Sequence, residues 1–165
     1  MLDVARDLTS GVERASARYY PLVLVVGGHG SGKTAALKAF AASRDVPCTN
    51  LSLHLSTAML PLTGNQRPDE VMPLVTRLVT DASGEVVVLD NTELLHEPSL
   101  QVDPLQVLLA ASRIRPVVAS WAGRLDGTTL VYAEPGHPEY QEFPNPDAVI
   151  VPVERTSTSR EDGST

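Results

Sequence analysis

The sequence predicts an α/β fold in which helices alternate with the strands of a mostly parallel sheet. A continuous apolar run, typical of a strand buried on both faces, stands at residues 21–26, and two further strands are predicted at residues 85–90 and 115–121. Segments of strong helix formers lie between or after them, at residues 33–43 and 103–113. Strand and helix in alternation indicate a parallel sheet, because each parallel connection must carry the chain back across the sheet.

The other elements follow from weaker patterns, and we expect about five strands in all. Residues 48–55 alternate apolar and polar side chains, which predicts a second strand. Pro152 places the last strand at an edge or a terminus of the sheet. Further strands are expected at residues 127–140 and 147–153, and a helix at 69–83 follows a loop at 57–70.

The length of 165 residues predicts one domain flanked by two short segments. Val4, Leu8 and Val12 recur four residues apart and predict a helix over residues 3–17, so that residues 1–18 form an N-terminal helix. The core is expected over residues 19–153. The polar residues 154–165 are expected to be disordered.

Composition excludes several classes of protein. With 42% hydrophobic and 20% charged residues, the chain is typical of globular proteins. The net charge of −7 disfavours stand-alone binding to nucleic acid, although direct DNA contact through a local patch stays open. The one cysteine, Cys48, fits a reducing compartment, and no apolar run approaches the ~20 residues that span a bilayer. We therefore expect a cytoplasmic protein with no membrane partner.

A glycine-rich loop is the strongest signal of chemistry. Residues 27–34, GGHGSGKT, match the pattern G-x-x-x-x-G-K-[ST], with a predicted strand before them and a predicted helix after them. Glycines allow the backbone to curve around a phosphate, so that its N–H groups and the helix N-terminus point at the anion. The predicted nucleotide-binding residues are Gly27, Gly28, His29, Gly30, Ser31, Gly32, Lys33, Thr34 and Ala35.

A second acidic position completes the expected metal and phosphate site. Lys33 is predicted to contact the β and γ phosphates, and Thr34 to bind Mg²⁺ through its hydroxyl. Asp90 ends the apolar strand 86–90, where ligands bind in open α/β sheets, and is the second predicted Mg²⁺ ligand. ATP and Mg²⁺ are the expected cofactors, since the guanine-recognition motif N-K-x-D is absent from the sequence.

With Walker A at 27–34 and Walker B at 86–90, the chain resembles P-loop NTPases of the additional-strand class, which includes the AAA-type and STAND ATPases. The resemblance implies a three-layer P-loop core. In that class an extra strand separates the two Walker strands, and a polar residue at its end senses the γ-phosphate. VVASW matches that strand, so Ser120 or Trp121 takes the sensing position. Few residues follow position 140, so we expect no separate lid domain.

A closer resemblance is to the BrxF family, the small P-loop proteins of type 3 bacteriophage-exclusion (BREX) defence systems. It covers about residues 19–140 and depends on LDNTELL (89–95) and YAEPGHPEY (132–140), because Walker motifs occur in many families. The resemblance implies a cytoplasmic ATP-binding component of an anti-phage complex, with other BREX proteins as partners.

The catalytic residues are harder to predict. ATPases of the additional-strand class carry Glu directly after the Walker B Asp, whereas this chain has Asn91, whose amide can orient a water but cannot accept its proton. Glu93 is the alternative base, with a helix-capping role equally open. Arg124, after the strand at 115–121, is the candidate arginine finger. The candidate catalytic residues are Lys33, Asp90, Asn91, Glu93, Ser120 and Arg124.

Three functions stay open. The first is a slow Mg-dependent ATPase that drives a defence complex, and the second is a nucleotide-gated assembly module without turnover. Both predict a nucleotide-dependent homo-oligomer. The third, a small-molecule kinase, is less favoured, because the segment TGNQRPDE contributes only Arg67 where such kinases carry an arginine-rich lid.

Overall fold

A computed structural model describes residues 2–28, 30–133 and 140–153. The expected disordered tail at 154–165 lies outside the described residues. The helices are α1 Leu2–Ser16, α2 Lys33–Ser43, α3 Leu51–Ala58, α4 Arg67–Asp81 and α5 Pro104–Ser112, with 3₁₀ helices η1 Glu93–His96 and η2 Pro98–Leu100. The strands are β1 Leu22–Gly27, β2 Cys48–Asn50, β3 Val87–Asp90, β4 Val117–Asp126, β5 Thr129–Tyr132, β6 Gln141–Pro144 and β7 Val149–Pro152.

The sheet has five parallel strands in the order β2-β3-β4-β1-β7. Strand β4 therefore lies between β1 and β3, as expected for the additional-strand class. Strands β5 and β6 extend the carboxyl half of β4 as an antiparallel meander. The prediction of about five mostly parallel strands is confirmed, and β7 occupies the edge that Pro152 predicted. Strand β6 was not predicted.

Helices cover both faces of the sheet. On strand β1, Val23 and Val25 pack towards α1 and α2. The alternate residues Leu22, Leu24 and Val26 pack into the larger cluster with α3, α4 and α5. Every residue of β1 is buried, which explains its continuous apolar run. The α/β fold with a three-layer P-loop core is confirmed, and no helix follows β4 in the part of the chain that is described.

The prediction of a strand over residues 48–55 was wrong beyond Asn50. Helix α3 begins at Leu51, because the side chain of Asn50 caps it by accepting a hydrogen bond from the backbone N–H of Leu53 at 3.0 Å. Leu51 and Leu55, four residues apart, are both buried, whereas Leu53 is 61% exposed. The alternating leucines therefore serve a helical face, and the loop expected at 57–70 shortens to the turns between α3 and α4.

The other helices begin close to their expected positions. Asp103 accepts the backbone N–H of Gln106 at 3.1 Å and caps α5, with Pro104 in the first turn. Helix α4 begins at Arg67, two residues before its expected start, so Pro73 lies inside the helix and not in its first turn. None of the described helices combines the length and apolarity that crossing a bilayer requires.

Candidate functional site

The glycine-rich loop connects the end of β1 to the start of α2. Gly30 and Gly32 adopt the left-handed φ angles of 75° and 101°, which a side chain would disfavour. The backbone N–H of Ser31 donates to the carbonyl oxygen of Gly28 at 3.1 Å, so the loop closes into a turn before the helix. His29 lies outside the described residues.

Gly27 occupies the tightest point of the loop. A Cβ at Gly27 would lie 2.3 Å from the hydroxyl oxygen of Ser31 and 2.8 Å from the carbonyl oxygen of Val153. Val153 is itself held to the sheet, since its N–H donates to the carbonyl of Val26 at 2.7 Å. A Cβ at Gly28, in contrast, would meet nothing within 4 Å. The first motif glycine is therefore required by the closed loop itself, before any ligand is considered.

Lys33 is the buried cation of this loop. Its side chain is 9% exposed, and its Nζ donates to the carbonyl oxygen of Gly28 at 2.9 Å. Burial lowers the pKa of Lys33, because removal from water disfavours the ammonium form, while the carboxylates of Glu93 and Asp90 oppose this lowering. Two acidic side chains from the far wall thus act electrostatically on the lysine.

A cleft of about 610 Å³ separates the loop from the end of β3. Residues 30–34 line one wall, and Asp90, Asn91 and Glu93 line the other. The fold therefore brings together both predicted Walker motifs and both candidates for activating water. Of the other predicted site residues in the described chain, Gly27, Gly28, Ala35, Ser120 and Arg124 are not among those that line this cleft.

Asp90 and Thr34, the two predicted Mg²⁺ ligands, lie on opposite walls of the cleft. Asp90 is 5% exposed, and one of its carboxylate oxygens, Oδ1, accepts the N–H of Asn91 at 2.8 Å. Thr34 is exposed in the first turn of α2. Carboxylate and hydroxyl oxygens suit Mg²⁺, which keeps few protein ligands. Within the described ranges, no three His, Cys, Asp or Glu side chains are grouped as a cation site, and Mg²⁺ binding by Thr34 and Asp90 stays a prediction.

The turn after β3 presents Asn91 and Glu93 to the cleft. Asn91 has a left-handed φ of 52°, which reverses the chain directly after Asp90. The carbonyl of Asn91 accepts both the N–H of Ser52 at 2.9 Å and its hydroxyl at 2.5 Å. Thr92 is buried and donates its hydroxyl to the carbonyl of Ser120 at 2.7 Å. The turn is therefore held to both α3 and β4, while Glu93 is exposed at its tip.

Ser120 and Trp121, the two candidates for the sensing position, point to opposite faces of β4. Ser120 follows the alternation of Val118 and faces the α2 side, 1% exposed, with no hydrogen-bond partner for its hydroxyl in the described structure. Trp121 is fully buried on the other face and donates its indole N–H to the carbonyl of Val131 at 3.3 Å. The geometry gives Trp121 a packing role. A sensing role for Ser120 stays a prediction.

The arginines flanking β4 lie at different ends of the sheet. Arg124 is exposed on the extended part of β4, where it pairs with Val131, so its predicted role as an arginine finger stays a prediction. Arg113 stacks on the ring of Tyr19 at 3.8 Å, and Arg115 donates to the carbonyls of Ala82 and Gly84. These last two arginines stabilise loops at the amino edge of the parallel strands.

His96 has a role that no sequence pattern indicated. It is 5% exposed and stacks on Tyr132 with ring centroids 3.4 Å apart, and Trp121 and Phe143 pack edge-on around it. Burial lowers the pKa of His96 to about 4, although a hydrogen bond to Gln141 opposes this. The imidazole is therefore a neutral member of an aromatic cluster that joins η1 to the β5–β6 hairpin.

Comparison with known proteins gives a similar solved structure but no family. No family model matches the chain, and no curated protein matches it. Among solved structures, that of AMPPCP-bound DnaA from Aquifex aeolicus is similar, with 16% sequence identity and a TM-score of 0.47. The alignment covers 88% of this chain and 43% of the DnaA chain. This chain therefore spans less than half of the length of the DnaA chain. At this similarity the match carries no argument about function, and the resemblance to the BrxF family stays a prediction.

Proposed function

We propose that this protein binds Mg-ATP in the cleft between residues 30–34 and the turn at 90–93, and that it hydrolyses ATP slowly. The observation that carries the proposal is the convergence of Lys33, Asp90 and Glu93 on one cleft. A phosphate-binding loop needs only the first of these. A carboxylate for the metal and a second one for water are what a hydrolase adds.

Binding would use the loop without rearranging the sheet. Backbone N–H groups at the start of α2 would bind the triphosphate, and the helix N-terminus would favour its negative charge. Lys33 would exchange its hydrogen bond to the Gly28 carbonyl for phosphate oxygens. Thr34 and Asp90 would hold Mg²⁺, which when bound neutralises charge on the β and γ phosphates.

Hydrolysis would depend on two side chains of the turn after β3. Glu93 offers the carboxylate that can accept a proton from the attacking water, and Asn91 can orient that water through its amide. Glu93 is exposed and stands two residues further along than the usual base. Because this carboxylate stands away from the position of the usual base, we expect turnover to be slow.

The second candidate is a nucleotide-gated assembly module that binds ATP without turnover. Asn91 favours it, because the residue directly after the Walker B aspartate lines the cleft and has no acidic group. Either candidate could work inside an anti-phage complex with other BREX proteins. The supporting observation is the resemblance of LDNTELL and YAEPGHPEY to the BrxF family, although residues 134–139 lie outside the described chain.

Phosphate release separates the two candidates. Purified wild type, Asp90→Ala, Glu93→Gln and the control Glu97→Gln are assayed with Mg-ATP, alone and with co-expressed partner proteins. The ATPase proposal expects turnover in wild type and in the control, and a loss of at least tenfold in the other two variants. Tight ATP binding with no phosphate release by any sample would overturn the ATPase proposal and leave the assembly module. Phosphate transfer to an added metabolite, without release to water, would favour a kinase.

Two further experiments test nucleotide-dependent oligomerisation and binding to partner proteins. Light scattering with and without saturating Mg-ATP should show a larger particle with nucleotide, and an unchanged monomer would contradict the oligomer. Affinity purification with the proteins encoded beside this one should recover them in a nucleotide-dependent way. Recovery of none of them would contradict a role in a defence complex while leaving ATP binding intact.

A further inference from the structure

We infer that Ser52 is a positioning residue for hydrolysis, which acts by fixing the turn that carries Glu93. The inference rests on the proposed function, since it assigns Ser52 to the same cleft. Ser52 lies in the first turn of α3, far from the Walker motifs in sequence. It belongs to neither Walker motif.

Ser52 contacts the turn through three hydrogen bonds. Its backbone N–H donates to the carbonyl of Asn91 at 2.9 Å, and its hydroxyl donates to the same oxygen at 2.5 Å. The hydroxyl oxygen also accepts the N–H of Leu94 at 3.1 Å. This hydroxyl therefore links Asn91 to Leu94, the two residues that flank Thr92 and Glu93. In this way it sets the shape of the turn.

These bonds are not needed to begin the helix. Asn50 already caps α3 through the N–H of Leu53. The hydroxyl of Ser52 is directed away from its own helix, whereas that of Ser56, one turn later, donates to the helical carbonyl of Leu53 at 3.2 Å. Because Ser52 does not cap its own helix and contacts both ends of the turn after β3, its hydroxyl serves to hold that turn in place.

The rest of the turn is already fixed, which leaves Glu93 dependent on Ser52. Asn91 is tied to Asp90, and Thr92 is tied to the carbonyl of Ser120 in β4. The N–H of Leu95 donates to the carbonyl of Thr92 at 3.1 Å within η1, and Ser52 supplies the attachment on the α3 side. A base must lie within hydrogen-bond reach of the water it activates, and a displacement of about 1 Å can cost up to 100-fold in rate. Loss of the hydroxyl should therefore slow turnover more than it weakens binding.

The test compares Ser52→Ala with the matched control Ser56→Ala, which removes a hydroxyl from the same helix. For Ser52→Ala we expect kcat to fall about tenfold with KM within twofold of wild type. Ser56→Ala should retain wild-type kinetics, and Ser52→Thr, which keeps a hydroxyl, should restore most of kcat. If Ser52→Ala does not fold, Ser52→Cys offers a weaker donor of similar size for the same comparison.

A double-mutant cycle with Glu93→Gln distinguishes positioning from a general structural effect. If Ser52 acts through Glu93, adding Ser52→Ala to Glu93→Gln should not lower kcat further. Three outcomes would overturn the inference: losses of kcat that multiply in the double mutant, a loss in Ser56→Ala equal to that in Ser52→Ala, or an unchanged kcat in Ser52→Ala. In each case, turnover by the wild type would still uphold the proposed function. Absence of turnover in wild type would overturn the proposed ATPase and this inference with it.

Discussion

The side-chain nitrogen of Lys33 lies 2.9 Å from the carbonyl oxygen of Gly28 and donates a hydrogen bond to it. The lysine thus closes the loop across five residues and lines the cleft. Burial lowers its pKa, so the protein holds a cation where its charged form is disfavoured. A polyphosphate would relieve this cost by offering negative charge in place of a neutral carbonyl.

Lys33→Met should therefore abolish ATP binding without lowering the stability of the nucleotide-free protein. Without nucleotide, we expect its melting temperature to be no lower than that of wild type, because a buried charge is replaced by an apolar chain of similar length. With saturating Mg-ATP, wild type should be stabilised, by about 2.7 kcal/mol at 100 times Kd, and Lys33→Met should not. The measurement is thermal unfolding with and without ligand. The control Lys38→Met, on the exposed side of α2, should still respond to ATP as wild type does.

Gly27→Ala and Gly28→Ala form a matched pair in the same loop. The added Cβ at Gly27 would overlap the Ser31 hydroxyl and approach the Val153 carbonyl, so the loop and the end of β7 must shift. We expect Gly27→Ala to lower the free energy of unfolding by roughly 1–3 kcal/mol and Gly28→Ala to change it by less than about 0.5 kcal/mol. Urea unfolding checks both values. Equal effects of the two variants would contradict the close packing at Gly27.

Thr92→Val tests the attachment of the turn to β4. The variant keeps the shape of the side chain but removes the buried hydroxyl that donates to the Ser120 carbonyl. We expect a loss of about 1–2 kcal/mol in the free energy of unfolding, since a buried carbonyl loses its partner. The urea midpoint should fall with an unchanged slope, whereas Thr80→Val on the exposed face of α4 should leave it in place. A Thr92→Val midpoint equal to that of wild type would show that the bond contributes nothing net.

The sequence was sufficient for the central strands and for the loop, and the reason is local. Strand β1, the first three residues of β3 and the first half of β4 are buried on both faces, so each appears as a mostly apolar run. The phosphate loop is formed by consecutive residues, so its motif can be read directly from the sequence. In the segment 48–55, leucines at alternate positions fit both a strand and a helix, and only the Asn50 cap and the core around Leu51 and Leu55 decide between them.

The parts of the site that were not predicted depend on contacts between distant residues. Ser52 meets Asn91 across 39 positions, and no residue near either one indicates the other. Strand β6 is mostly exposed and carries no alternating pattern, so its own sequence does not indicate that it pairs with β5. His96 is an isolated histidine in the sequence. It is buried because Tyr132 in β5 and Phe143 in β6 pack against it, and these contacts are known only from the fold.

The burial of His96 predicts a loss of stability in mild acid. An unfolded chain protonates this histidine near pH 6.5, whereas the folded protein, with a pKa of about 4, does not until the solution is far more acidic. Between these two values the unfolded state binds more protons, so the free energy of unfolding must fall as pH falls. Gln141 and Asp103 oppose the shift and are already included in that pKa.

Chemical unfolding at pH 7 and pH 5 measures this effect. The histidine should contribute about 2 kcal/mol to the difference in unfolding free energy between the two conditions. His96→Phe keeps a ring for stacking on Tyr132 and removes the titrating group, so its pH difference should be smaller than that of wild type by about this amount. His54→Gln, an exposed position on α3, should keep the wild-type difference. An identical pH dependence in wild type and His96→Phe would mean that the imidazole is protonated, or reached by water, inside the aromatic cluster.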